Sequence, residues 1–151
     1  MKISIEVLEG IVEPEVIIRC GAEDGAAQRL QERIHNLCSD EMTFYKGEKE
    51  FYFPVESIFF FETDGDRVYA HTAKDVFTVK HRLYALERLL PAYFVRAAKG
   101  AIVNTLMIYA INRNLASASK IQFSGTYKNV YASRHYYKSL KQKLEERSSS
   151  V

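Results

Sequence analysis

Cations placed where β-strands end are the most informative chemistry in this chain. Asp66 and Arg67 fall in a turn after the apolar run IFFFET. Lys99 and Gly100 separate YFVRA from AIVN, and Arg134 and His135 follow VYAS at the start of the last helical stretch. Each site is a polar interruption of an apolar β pattern, and loops carried by rigid strands are where binding side chains concentrate. In the closing stretch YASRHYYKSLKQKLEE, Ser133 is a favourable N-cap, but Arg134, His135 and Lys138 crowd the first turn and Tyr136 stands where a capping box would put Glu. Cations at a helix N-terminus oppose the macrodipole at roughly 0.3–1 kcal/mol each. That end therefore calls for an external anion.

Other chemistries find little material. The four histidines (35, 71, 81 and 135) make no H-x-x-x-H pair and no Cys/His pairing. Neither a Walker A segment nor G-x-S-x-G nor G-x-G-x-x-G is present. Cys20 and Cys38 lack metal-ligand spacing, and Asp64 and Asp66 sit in a turn that Asp favours for local hydrogen bonding. No catalytic constellation emerges, so the chain is expected not to be an enzyme and to need no cofactor or metal.

The charge is unevenly spread. Net charge is +2, yet residues 1–46 hold five Lys/Arg against nine Asp/Glu, whereas residues 47–151 hold sixteen against ten. Between Lys128 and Leu144 there is no acid, while Lys128, Arg134, Lys138, Lys141 and Lys143 are all basic. A solvated helix face would account for such a run about as well as a polyanionic partner. At 151 residues and 47% hydrophobic, the chain can build one core. No apolar run reaches the roughly 18–20 residues that span a bilayer, and MKISIEVLEG has no signal-peptide core. A cytoplasmic protein without a membrane partner is expected.

Periodicity supplies the elements that position these residues. ISIEVL (3–8) alternates and EVIIRC (15–20) is β-branched, so both read as strands. They precede an amphipathic helix, 23–38, with Ala26, Leu30, Ile34, Leu37 and Cys38 on one face. MTFYK and EFYFP flank Gly47 as a hairpin, and Asp64-Gly65 predicts another between IFFFET and RVYAHT. VFTVKH follows, then a helix over 82–91 with Leu83, Leu86 and Leu90 together and Pro91 as its stop. YFVRA, a run from AIVN into LMIYAIN, and a KIQF/KNVYA hairpin complete the strands. In the last helix, Tyr136, Tyr137, Leu140 and Leu144 share one side and Arg134, Lys138 and Lys141 the opposite one. Its RSSSV end reads as a disordered tail.

Taken together and in order, FFFETDGDRVYAHT, LYALERLLPAYFVRAAKGAIVN and YASRHYYKSLKQKL resemble the LytTR family of bacterial DNA-binding domains. The resemblance covers about residues 44–146. It implies a mostly β fold: an elongated sandwich of antiparallel sheets with a C-terminal helix, here preceded by a short β-β-α extension. It also implies a reader that inserts loops into successive DNA grooves. Mapped by position, its base-contacting loops fall on Asp66-Arg67, Lys99 and Arg134-His135, with Lys138 and Lys141 on phosphates. Asp66 departs from the basic or aromatic residue common in the first loop, and could accept from a cytosine amino group or serve the turn. His135 stands where a second arginine is frequent, and Ala97-Ala98 replace more polar residues. The expected layout is an acidic extension over 1–43, a reader over 44–147 and a tail over 148–151. Residues 1–43 are too few for a receiver domain, so the chain resembles the free-standing regulators of the family. The expected partner is promoter DNA with paired half-sites, bound by a homodimer that the extension could form. An RNA, single-strand or protein-interaction module is the alternative, given that 13% of residues are aromatic.

Overall fold

The computed structural model of the chain describes residues 2–12, 14–21, 25–38 and 41–149. These divide into two compact units, one running to Cys38 and the other from Ser39 onward.

In the first unit the helix forms as α1, Gly25–Cys38, with Leu30 and Ile34 half-buried and Ala26 exposed. Leu37 and Cys38 have side chains outside the described residues. The two expected strands do not form: residues 3–8 and 15–20 have no ladder partners, and Ile3, Ile5, Val7, Val16 and Ile17 are exposed. An alternating pattern licenses a strand only if something pairs with it, and two strands without a third or a covering helix are marginal in water.

The second unit holds ten strands. A seven-stranded antiparallel sheet contains β1 (Glu41–Lys46), β2 (Lys49–Pro54), β3 (Phe60–Asp64), β4 (Arg67–His71), β5 (Val76–Val79), β6 (Phe94–Ala98) and β7 (Ala101–Asn104). Its order is β2-β1-β5-β4-β3-β7-β6. A three-stranded sheet contains β8 (Ile108–Asn112), β9 (Ser119–Phe123) and β10 (Asn129–Ala132), with β9 central. Both glycine turns form as read: Gly47 and Gly65 take φ of 62° and 63°, and Asp64 pairs with Arg67. Left-handed backbone at these positions is what glycine permits at no steric cost.

Alternation along β3 and β7 explains the continuous apolar runs. Phe61 and Ile102 point to one face of the large sheet, into a core with Phe44, Val68, Ala70 and Phe94 that helix α2 (Leu83–Leu89) covers through Leu83 and Leu86. Phe60, Ala101 and Val103 point to the other face, into a core with Ile121, Phe123, Val130 and Leu140. Strands buried on both sides lose the polar half of their pattern.

The run from AIVN to AIN is not one strand. Buried Asn104 ends β7, its amide donating to Ile58 O at 2.9 Å while its Oδ1 accepts from Leu106 N at 3.0 Å. A 3-10 turn over Thr105–Met107 then carries the chain into the smaller sheet. Helix α3 spans Arg134–Ser149, longer than the sequence predicts. Ser148 and Ser149, expected in a disordered tail, are helical, because Arg147 binds the carbonyls of Thr105 and Ile108 and anchors the last turn. Residues 150 and 151 lie outside the described residues.

Candidate nucleic-acid interface

Antiparallel pairing sorts loop ends. Because β3 runs toward Asp64 and its neighbour β7 runs away from Ala101, the 65–66 turn and the 99–100 turn open at the same edge of the large sheet. Two backbone hydrogen bonds close the arrangement. Thr63 N donates to Gly100 O at 2.9 Å, joining the first turn to the second, and Ser133 N donates to Ala97 O at 2.8 Å, joining the third loop to β6. Arg67, Lys99, Arg134 and His135 are exposed at these positions, as is Asp66. The three loops therefore gather, which spacing alone left open.

Two residues, Arg96 and Gly100, fix the second turn in ways that their place in the sequence does not show. The Arg96 guanidinium donates from Nε to Ala98 O at 2.8 Å, binds Lys99 O as well, and pairs with Glu87 at 2.9 Å. A planar fork of this kind holds two carbonyls at once and pins the backbone that carries Lys99. Gly100 matters for space: a Cβ there would lie 2.7 Å from Thr63 Oγ1.

Helix α3 is held as its two stripes predict. Leu140 is fully buried, Tyr136, Tyr137 and Leu144 are half-buried, and Lys138 and Lys141 are exposed on the far side. The expected Ser133 side-chain cap is absent. The Ser133 carbonyl accepts from Tyr136 and Tyr137 at 3.2 and 3.0 Å, but its buried Oγ has no protein hydrogen-bond partner. Docking of Ser133 N on Ala97 sets the orientation of this residue and turns the hydroxyl inward. The helix N-terminus thus presents Arg134 and His135, whose ring meets Tyr136 edge-on at 4.8 Å.

Sequence reasoning also missed the extent of the basic surface. From Arg88 to Leu144 there is no Asp or Glu, against ten Lys/Arg. Arg113, on the β8–β9 hairpin, reaches this same edge and lies 5.1 Å from the centre of the Tyr137 ring. That acid-free span was the available signal.

At the opposite edge a separate network joins the two sheets. His71, 12% exposed, stacks on Phe60 and sits 2.7 Å from Glu62 and 3.3 Å from Lys128 Nζ. An ammonium can only donate, so Nδ1 accepts from Lys128 and Nε2 carries the proton toward Glu62. Burial pushes the His71 pKa below its ordinary value; Glu62 pulls it up and Lys128 pushes it further down. His81, which ends the VFTVKH run, is exposed in the bend after β5. Among the described residues no cluster of three or more metal-ligating side chains occurs, and no helix is long and apolar enough to cross a membrane.

A family model described as the LytTr DNA-binding domain matches residues 48–145. An uncharacterized HTH-type transcriptional regulator from Staphylococcus aureus strain NCTC 8325 is 32% identical over 90 residues, covering 60% of each chain. A counterpart from the bovine strain RF122 is 33% identical over 92 residues. The chain thus spans about 60% of the length of these relatives. Their name speaks of a helix-turn-helix, whereas α2 and α3 here are separated by the strands β6 to β10. Among solved structures, the LytTr DNA-binding domain of a methyl-accepting/DNA response regulator from Bacillus cereus superposes with a TM-score of 0.64. It is 23% identical and covers 69% of this chain and 95% of that one, a likeness of fold. The family model and the shared fold together establish that this chain belongs to the LytTr DNA-binding domain family.

Proposed function

We propose that this protein binds duplex DNA in a sequence-dependent manner as part of a transcriptional regulator. The observation that carries this reading is the gathering of three cation-bearing loops at one edge, through the Thr63–Gly100 and Ser133–Ala97 backbone bonds. Arg67, Lys99, Arg134 and His135 reach into the major groove in this reading, with Asp66 beside them. Lys138 and Lys141 follow the phosphates, and the free amides of the first α3 turn meet one phosphate directly. That contact restores a favourable sign to a helix end whose own first turn has no acid.

The test uses a duplex selected from random-sequence DNA. Affinity should fall steeply with salt, and Lys138→Gln or Lys141→Gln should each flatten the slope of log K against log salt by about 1. Lys99→Ala or His135→Ala should change the preferred bases. Weak salt dependence would reject the reading, and a uniform loss across all sequences would demote Lys99 and His135 to backbone contacts. Exposure of Tyr109 and Tyr131 on the smaller sheet, and of Tyr127 in its β9–β10 loop, favours one alternative, a single-strand or RNA module that stacks bases. Single strands that outcompete the duplex would select it.

Regulation through paired half-sites follows if two copies associate. The exposed apolar side chains of residues 3–17 support assigning that role to the first unit. The same number of copies per particle in solution with and without residues 1–38 would rule that assignment out.

A further inference from the structure

We propose that the β8–β9 hairpin is a fourth DNA contact, with Arg113 and Lys120 holding backbone phosphates outside the stretch reached by the three loops. This rests on the duplex-binding reading above. The placement follows from pairing. Asn112 pairs with Lys120 and Ala132 with Ser119, so the 113–118 loop opens at the edge where β10 hands over to α3. One residue further on, Ser133 is tied to Ala97 and hence to the second turn.

Arg113 is not adrift on this loop. Its guanidinium lies over the Tyr137 ring at 5.1 Å, and Tyr137 is three residues along α3 from Arg134. A cation–π contact at this distance holds the guanidinium near the ring without using up its N–H donors, and the planar fork they form matches two oxygens of one phosphate. Lys120 pairs across the strands with Tyr131 on the outward face of the smaller sheet. Between them is a depression of about 580 Å³ whose polar lining comes from Asn112, Arg113, Asn114, Lys120 and Tyr131. The loop holds its own shape: Asn114 N donates to Ser119 Oγ at 3.1 Å, and Ala116 N to Asn114 Oδ1 at 3.0 Å. A preformed concavity costs little ordering entropy on binding.

The chemistry selects the occupant. Cations and amide donors line this surface, and the chain has no acid from residue 88 to 144 to offset them. A protein partner would be expected to meet an aromatic or aliphatic centre, and here exposed Leu115 and Tyr131 flank a charged middle. The hairpin sits to one side of the loops that would read bases, so it meets phosphates of the flanking duplex.

The test measures wild type, Arg113→Gln, Lys120→Gln and the double variant on two selected duplexes. One is trimmed to the stretch protected by the loops; the other adds about one helical turn, roughly 10 bp, on each side. On the longer duplex the double variant should lower the slope of log K against log salt by about 2 and weaken binding by about ten-fold or more at low salt. On the trimmed duplex it should match wild type. No change on the longer duplex, or equal loss on both, overturns the proposal. Failure of the three-loop reading looks different: Arg134→Gln would leave binding unchanged at either length. Arg113 is the cation over the Tyr137 ring, whereas Lys120 sits on β9 opposite Tyr131, so the Lys120→Gln slope decides the matter even if Arg113→Gln disturbs α3.

Discussion

Single side chains here divide between those that would touch a partner and those that hold a loop still. Arg96 belongs to the second kind, and its sequence gives no hint of it: an arginine in FVRAA looks like any strand cation. Replacing it with Ala leaves the carbonyls of Ala98 and Lys99 without their charged donor and should cost about 1–3 kcal/mol in denaturant unfolding. Arg96→Lys should recover only part, since an ammonium cannot span both carbonyls in one plane. His71 yields a prediction of pH dependence. Its folded-state pKa lies below the ordinary value of 6.5, so the unfolded chain takes up the proton more readily. The stability it contributes is whole above that value and is lost as pH falls below it. Urea midpoints between about pH 7.5 and pH 5 should decline in wild type and decline less in His71→Gln. Equal slopes would show that another group titrates. At this scale the sequence marked Arg67, Lys99, Arg134 and His135 because they interrupt apolar runs. It could not mark Arg96, whose fork closes on carbonyls that only the folded turn presents to it, or Arg113, whose partner Tyr137 lies far along the chain.

Elements were legible where local chemistry decides them. Asp64-Gly65 and Gly47 set their turns through left-handed backbone, and Pro91 closed α2, each needing no distant partner. The segments ISIEVL and EVIIRC carried equally good patterns and failed, because a strand is completed only by its neighbour. Asn104 was hidden for the opposite reason: in AIVNTLMIYAIN it looks like a polar residue within a strand, yet its hydrogen bonds turn the chain from one sheet to the other. The contact between two elements that most invites mutation is Gly100 against Thr63. Gly100→Ala should destabilise by about 1–3 kcal/mol through steric overlap with Thr63 Oγ1. Thr63→Ala removes that atom, so the double variant should be more stable than Gly100→Ala alone. If thermal melts show simple additivity, the two turns are not in steric register.

At the scale of the whole molecule, both cores found among the described residues lie within the second unit, the first of their residues being Met42. Residues 39–151 should therefore unfold cooperatively on their own, with a midpoint close to that of the longer chain; a broad, non-cooperative melt would show that residues 1–38 complete the fold. The large sheet has a core on each face, one roofed by α2 and one by the smaller sheet with α3. That is why the FFF run could be read as strand but not assigned a side. The bonds Thr63–Gly100 and Ser133–Ala97 have a further consequence. They set the intervals between loop tips by strand spacing, about 4.8 Å per step, so the edge behaves as a ruler. Side chains at 66, 67, 99, 134 and 135 can be exchanged without moving its graduations, while one residue added to either turn would shift them. Under the DNA-binding reading proposed above, new binding preferences would thus be reached by changing letters at constant length.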